Sequence, residues 1–241
     1  AMKELSHFIC LLLTATILTG CTIAGRDKPL TAQGLFDRYI DEAYGRKGLD
    51  AQTSITMKGT LTIDAVGISA PITIRQMAPD SVSTAVEIPG ASVNSGCRGG
   101  DCWDQQPGQG IETLNGARLA SALQQADFYQ YTHMADYYQS LEIAPAVDGS
   151  DSDNHRVRAT HENGVDIYYF SKESGMLVRT DIDTPTALGF ATLTTNNSKF
   201  QEYGGIMLPT ETSIVIPNAF TMKVMFKNIS FSELSPSDFS R

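Results

Sequence analysis

Three of the four histidines, a close cysteine pair and an acidic loop are the groups in this chain whose types and spacing suggest chemistry. His133, His155 and His161 have no partner at metal-ligand spacing, and His161 closes a polar strand end, so each reads as a surface or hydrogen-bonded side chain. Asp148-Gly149-Ser150-Asp151-Ser152-Asp153-Asn154 clusters carboxylates that calcium could use, but it lacks the glycine and the distant glutamate of an EF-hand loop and reads as a solvated hairpin loop. There is no Gly-x-Ser-x-Gly elbow, His-Glu-x-x-His helix, P-loop or dinucleotide fingerprint. The expectation is a protein that is not an enzyme, with no metal and no cofactor.

The cysteines depend on what happens at the N-terminus. Lys3 opens a short polar start, residues 8–18 are nearly all apolar, and Leu18-Thr19-Gly20-Cys21 places small residues before a cysteine, as at a secretory cleavage site. The run is shorter than the roughly 20 residues a spanning helix needs. The segment resembles the lipobox of bacterial lipoproteins, which implies that residues 1–20 are a signal peptide and that Cys21 carries acyl chains of the palmitate class and heads the mature chain. Each buried methylene contributes about 0.8 kcal/mol, so two or more chains anchor a domain stably on a membrane. Thr22 rather than Asp follows the cysteine, which in the enteric pattern points to the outer membrane rather than the inner one.

Of the four cysteines, Cys10 leaves with the signal and Cys21 is acylated, so Cys97 and Cys102 remain. In an oxidising compartment, Cys97-Arg98-Gly99-Gly100-Asp101-Cys102 reads best as a short disulfide loop. A metal site would need a second ligand pair that the sequence lacks, and a redox pair would favour the Cys-x-x-Cys spacing.

Processing leaves 241 − 20 = 221 residues, and because Lys3 and Glu4 cancel, the formal charge stays at −9. An acidic chain without a Lys/Arg cluster has no footprint for nucleic acid or for an anionic lipid surface.

The elements follow in order. Residues 21–30 are the lipidated cysteine and a polar tether. Thr31 caps a helix to about Tyr44, with Leu35, Phe36, Tyr39, Ile40 and Ala43 on one face and Gly45 and Gly48 as its stop. Period-two alternation then gives three strands, through Ile55, Met57, Leu61 and Ile63, through Ile68, Ala70, Ile72 and Ile74, and through Val82, Thr84, Val86 and Ile88. Residues 89–110 form a decorated hairpin with the cysteines and Trp103. A helix over 117–126, presenting Leu119, Ala122, Leu123 and Ala126, and a tyrosine-rich helical stretch follow. Seven further strands lie near 141–147, 156–161, 166–170, 176–183, 190–201, 206–216 and 221–229, and residues 232–241 form an irregular tail.

The fold expected is mainly β (α+β): a curved antiparallel sheet of about ten strands that either closes or wraps something, with about three helices of a length that suits its concave side. An incompletely filled curve leaves an apolar cleft. Its candidate lining is Ile55, Met57, Ile72, Ile74, Val86, Leu119, Leu123, Met222, Val224 and Phe226, and for most of these residues packing in a filled core competes with contact to a ligand.

The order of elements resembles a known family. The glycines of Ala43-Tyr44-Gly45-Arg46-Lys47-Gly48 end a first helix, and Met57-Lys58-Gly59-Thr60-Leu61 starts a strand. A Trp-containing hairpin, a helical pair, Tyr168-Tyr169-Phe170, Ser174-Gly175-Met176-Leu177 and Tyr203-Gly204-Gly205-Ile206-Met207-Leu208-Pro209 come after. This is similar to the LolA/LolB-like lipoprotein-sorting proteins and their LppX-type relatives. The resemblance covers 31–231 and implies that the sheet forms an unclosed half-barrel plugged by helices, carrying acyl chains of lipids or lipoproteins in the bacterial envelope, with a possible transport partner. With Cys21 it implies a membrane-anchored protein facing the periplasm. Two other readings stand beside it: an interaction module with a filled core that displays the hairpin and Trp103, and an exported hydrolase.

Overall fold

The computed structural model describes residues 30–45, 48, 51–88, 90–145, 149, 152–186, 189–217 and 220–240. The signal segment, Cys21 and the tether as far as residue 29 lie outside the described residues, as do Val147, Asp148, Ser150 and Asp151.

Thr31 starts the first helix, α1 (Ala32–Ala43), by accepting a hydrogen bond from the Gly34 N–H on its side-chain oxygen. Gly45, with φ of 60°, supplies the left-handed residue just past the Tyr44 cap. The apolar stripe read from the sequence is the buried face: Leu35, Phe36, Tyr39 and Ala43 pack on Met134, Tyr138, Val157, Ala159, Tyr168 and Phe170. A fully buried Leu or Phe contributes about 1.5–3 kcal/mol, so Leu35 and Phe36 suffice to dock the helix. Arg38 adds hydrogen bonds to the carbonyls of Lys172 and Glu173.

The strands are β1 (Ser54–Ile63), β2 (Ile68–Met77), β3 (Ser81–Ile88), β4 (Ala91–Arg98), β5 (Asp101–Gln105) and β6 (Glu112–Thr113). The helices α2 (Gly116–Ala126) and α3 (Met134–Tyr137) follow. The chain then forms β7 (Ser140–Ile143), β8 (Asn154–His161), β9 (Gly164–Ser171), β10 (Leu177–Thr186), β11 (Gly189–Tyr203), β12 (Ile206–Val215) and β13 (Thr221–Ser230). They make one sheet in the order β6-β5-β4-β3-β2-β1-β13-β12-β11-β10-β9-β8-β7, with every described pairing antiparallel. Two meanders thus meet where β13 pairs with β1, and the helical segment carries the chain from one edge to the other.

Among the described residues thirteen strands replace the ten expected. The difference is the hairpin read as decoration: β4 and β5 pair on β3 and extend the sheet, and β6 adds a two-residue edge. At the hairpin turn, Gly99 and Gly100 take φ of 57° and 87° between the paired Arg98 and Asp101, the double left-handed geometry of a two-residue type I′ turn.

The sheet is strongly curved. Helix α2 touches β3, β4 and β5 and also β10. Six inter-strand steps separate β3 from β10, about 29 Å on a flat sheet at roughly 4.8 Å per step, against a helix width of about 10 Å. The sheet therefore wraps around α2, and β6 and β7 remain as separate edges. Register shifts between Lys58 and Gly59 in the β1–β13 pair and between Leu177 and Arg179 in the β9–β10 pair supply bulges, which increase local bend and twist.

The tail is ordered rather than irregular. A 3-10 turn over Pro236–Phe239 has a Ser235/Asp238 capping box, and its carbonyls accept from Arg98 and Ser83 on β4 and β3. Phe239 is only 2% exposed. Among the described residues no helix is long and apolar enough to cross a membrane.

Candidate functional site

Helix α2 has two working faces. Leu119, Ala122, Leu123 and Ala126 pack toward Cys97 and Cys102, and Ala122 and Cys97 also border a cavity on this side. Around the helix, Ala117, Ala120, Ser121 and Gln124 turn toward β9 and β10, and the small side chains leave space there.

Four cavities follow the concave face. One of about 310 Å³ lies between β1–β5 and α2, walled by Met57, Ile74, Val82, Thr84, Trp103 and Leu114 among others. A second, of about 180 Å³, is bounded by Tyr39, Ile55, Met57, Phe128, Ile206 and Leu208. A third, of about 280 Å³, has a threonine-rich floor of Thr180, Thr184 and Thr195 with Leu193 and Ile214. The fourth, of about 220 Å³, is the one of the four lined by carboxylate and histidine side chains, from His161, Glu162, Asp166 and Asp183. Neighbouring cavities share walls: Met57 and Gln76 between the first two, Gln130 and Tyr131 between the second and third, and Ser121, Gln124, Tyr138 and Ile182 between the third and fourth. Singly they sit at or below the lower end of the roughly 300–1,000 Å³ of ligand pockets, and the shared residues set them side by side along the concave face.

A hydrogen-bonded network closes the fourth cavity. Tyr138 donates to Asp166 Oδ2 at 2.6 Å, its oxygen is 2.7 Å from the Tyr168 hydroxyl, and Gln124 donates to it at 3.0 Å. Asp166 Oδ1 accepts from the Asp183 N–H at 2.8 Å and lies 3.5 Å from His161 Nε2. Asp166 is 3% exposed, and burial pushes its carboxyl above the ordinary range against the lowering effect of these hydrogen bonds. Burial likewise raises the Tyr138 and Tyr168 hydroxyls, so both stay protonated donors.

Of the ten residues nominated for the cleft, Ile55, Met57 and Ile74 line cavities. Ile72, Val86 and Val224 are buried in a cluster with Leu61 and Ala70, against which Ile74, Met222 and Phe226 also pack; its members all come from β1–β4 and β13. Leu119 and Leu123 pack on the cysteine pair. Cys97 and Cys102 face each other across the β4–β5 register with their sulfurs 2.07 Å apart. Trp103 is not on display: it is 7% exposed, against Gly96, where an added Cβ would lie 3.2 Å from the indole.

The histidines divide. His133 Nδ1 is 2.7 Å from Asp127 Oδ2, which also accepts from Tyr137, and His161 meets Asp166. Burial and the nearby Lys172 and Arg38 lower the pKa of His155. Among the described residues neither His133 nor His161 is hydrogen-bonded to a serine, threonine or cysteine that it could activate as a nucleophile. No group of three His, Cys, Asp or Glu among the described residues is placed to hold a metal ion.

The Asp166 network was not foreseen from the sequence. Its signal lay in the alternation of β9, where a carboxylate occupies the inward register shared by Tyr168 and Phe170.

No protein-family model matches the sequence, and no curated protein matches it. Solved structures do. A LolA-superfamily protein from Nitrosomonas europaea superposes with a TM-score of 0.58 at 10% identity, covering 88% of this chain and 98% of that one. A DUF1329-family protein from Desulfovibrio piger gives 0.56 at 10%, covering 87% and 97%. A putative outer membrane lipoprotein-sorting protein domain from Vibrio parahaemolyticus gives 0.54 at 9%, covering 85% and 97%. With its unclosed antiparallel sheet wrapped around a helix, the chain has the fold shared by LolA-superfamily and lipoprotein-sorting proteins.

Proposed function

We propose that this chain is a non-enzymatic lipoprotein of the bacterial envelope that shelters acyl chains of a lipid or a lipoprotein in the groove between α2 and the concave sheet. The observation that carries the reading is the run of four wall-sharing cavities along the concave face, with carboxylate and histidine side chains lining only the one at the Asp166 end. Burial at about 25 cal/mol per Å² yields roughly 7 kcal/mol for about 300 Å² of chain before ordering costs, enough for useful affinity without any one specific contact. Acylation of Cys21 tethers the domain to the periplasmic side of the outer membrane, where it takes up or releases chains at its own bilayer, alone or with a partner from a lipoprotein-transport system.

Native mass spectrometry of the protein extracted from the envelope tests this. Adducts with the mass of a lipid or an acylated peptide are expected, and their absence across several gentle extraction conditions sinks it.

A second reading has an observation of its own. Most of the nominated lining residues pack against one another or against the cysteine pair, which favours an interaction module with a largely filled interior. Failure of any alkyl probe to bind would support it.

A further inference from the structure

The third cavity has a pair of unengaged hydroxyls in its floor. Thr180 and Thr195, on the inner face of β10 and β11, stand directly opposite each other in the antiparallel register. Neighbouring threonines are engaged: on the outer face Thr192 donates to Asp183 at 2.6 Å and Thr194 to Asp181 at 2.7 Å, and on the inner face Thr212 donates to Asn197 at 3.1 Å. Among the described residues the side chains of Thr180 and Thr195 have no hydrogen-bond partner. Nor has that of Gln130, which walls the same cavity from the helical crossover. The polar atoms of all three keep accessible surface.

Valine fills the same space as threonine in a packed wall and suits a strand as well. Two facing hydroxyls and an amide without protein partners are matched instead by a ligand that brings oxygens of its own. Charge narrows the class. Among the described residues no acidic or basic side chain lines this cavity, and no lysine or arginine lines any of the four. A phosphate or sulfate drawn in would give up water with no cation to replace it, and an ammonium would find no carboxylate within the compartment. Gln130 and Tyr131 also wall the second cavity, where Ile55, Met57, Phe128 and Leu208 offer a chain apolar contact.

Resting on the acyl-binding reading, we infer that the third cavity holds the uncharged, oxygen-bearing head of a glycerol ester. Thr180, Thr195 and Gln130 bond its hydroxyl and ester oxygens, and its chain runs past Gln130 into the second cavity. A free glycerolipid and the acylglyceryl group of a lipoprotein share this chemistry.

The test uses the mature chain, freed of co-purified lipid, and four probes of like chain length below their micelle concentrations: monodecanoylglycerol, decanol, decyl sulfate and decylammonium. They are titrated calorimetrically at an ionic strength that screens the net charge of −9. Monodecanoylglycerol is expected to bind about tenfold tighter than decanol, the worth of one or two net hydrogen bonds, and tighter than either ion. Thr180→Val/Thr195→Val should bring it to within about threefold of decanol while decanol itself binds as before. Each single valine variant and Gln130→Leu should lower the preference a few-fold, and these stand in if the double variant does not fold. Equal binding of monodecanoylglycerol and decanol overturns the inference and leaves the acyl reading standing. So does a preference unchanged in every variant, or an ion that binds as tightly as the ester. If no probe binds, both readings fail. A peptide whose cysteine carries the same glyceryl ester then separates the two sources: the ligand that loses more affinity in the double variant is the cargo, and loss by neither overturns the inference.

Discussion

Tyr138 donates its hydroxyl proton to Asp166 across 2.6 Å, and this bond joins the end of α3 to the inner face of β9. Through Tyr138 the network also takes in Gln124 of α2 and Tyr168, so the helical crossover is pinned to the sheet at the Asp166 end of the groove. Tyr138→Phe keeps the ring and removes the donor. Leaving a buried carboxylate short of a partner costs about 1–3 kcal/mol, a fall of a few degrees in Tm for a chain of this size. An unchanged melting temperature would show that the network does not hold the crossover.

Asp166 also makes a signed pH prediction. Its folded pKa is raised by burial above the unfolded value, so the folded state holds a proton that the unfolded state has already lost. Stability contributed by this group therefore declines as pH rises from the unfolded carboxylate value through the raised folded one, and stays lower beyond it. In Asp166→Asn that decline is absent. The Tm of the variant minus that of the parent should rise with pH across this window and then level; a constant or falling difference contradicts the burial argument.

Gly59 pairs with Phe226 beside the register shift between β1 and β13. A Cβ there would clash with the Met225 carbonyl group, which is backbone in the middle of the sheet. Gly59→Ala should cost about 2–3 kcal/mol in denaturant unfolding, as overpacking does. Gly110→Ala, with nothing within 4 Å of the new carbon, should change stability by less than about 0.5 kcal/mol.

The cysteine pair closes a very short loop, so its chain-entropy contribution is small, about 2 kcal/mol. Cys97→Ala/Cys102→Ala should fold, keep α2 docked through Leu119, Leu123 and Ala126, and unfold at lower denaturant by that amount. Alkylation of the unreduced, denatured mature protein should find neither thiol free; labelling of both would reject the pairing.

Cys21→Ser should leave the unit from Thr31 onward folded and move it from the membrane fraction to the soluble one. Unaltered membrane association would refute the lipid anchor.

Much of the fold is written locally. The Thr31 cap, the three-and-four spacing of Leu35, Phe36 and Tyr39, and the period-two runs of β1–β3 need no distant partner to be read, and each element stands close to its expected place. Ser232–Arg241 misled because a serine-rich tail with one proline has no periodicity, and only the outer face of β3 and β4 gives Phe239 somewhere to bury. The hairpin misled in the opposite way: the sequence marks its turn at Gly99-Gly100 but not that β4 continues the sheet on β3, a pairing between segments.

The same division runs through the site. Sequence alone determined the mainly antiparallel β class and the helix faces, because these rest on period and caps. Tertiary structure decided which apolar residues face space and which face each other. Ile72 and Ile74 have identical local patterns, yet the first is buried in the strand cluster and the second reaches the cavity. It also decided that Asp166, Tyr138 and His161 meet. That depends on how far thirteen strands curl around α2, a sum of twist, bulges and packing that no single segment encodes.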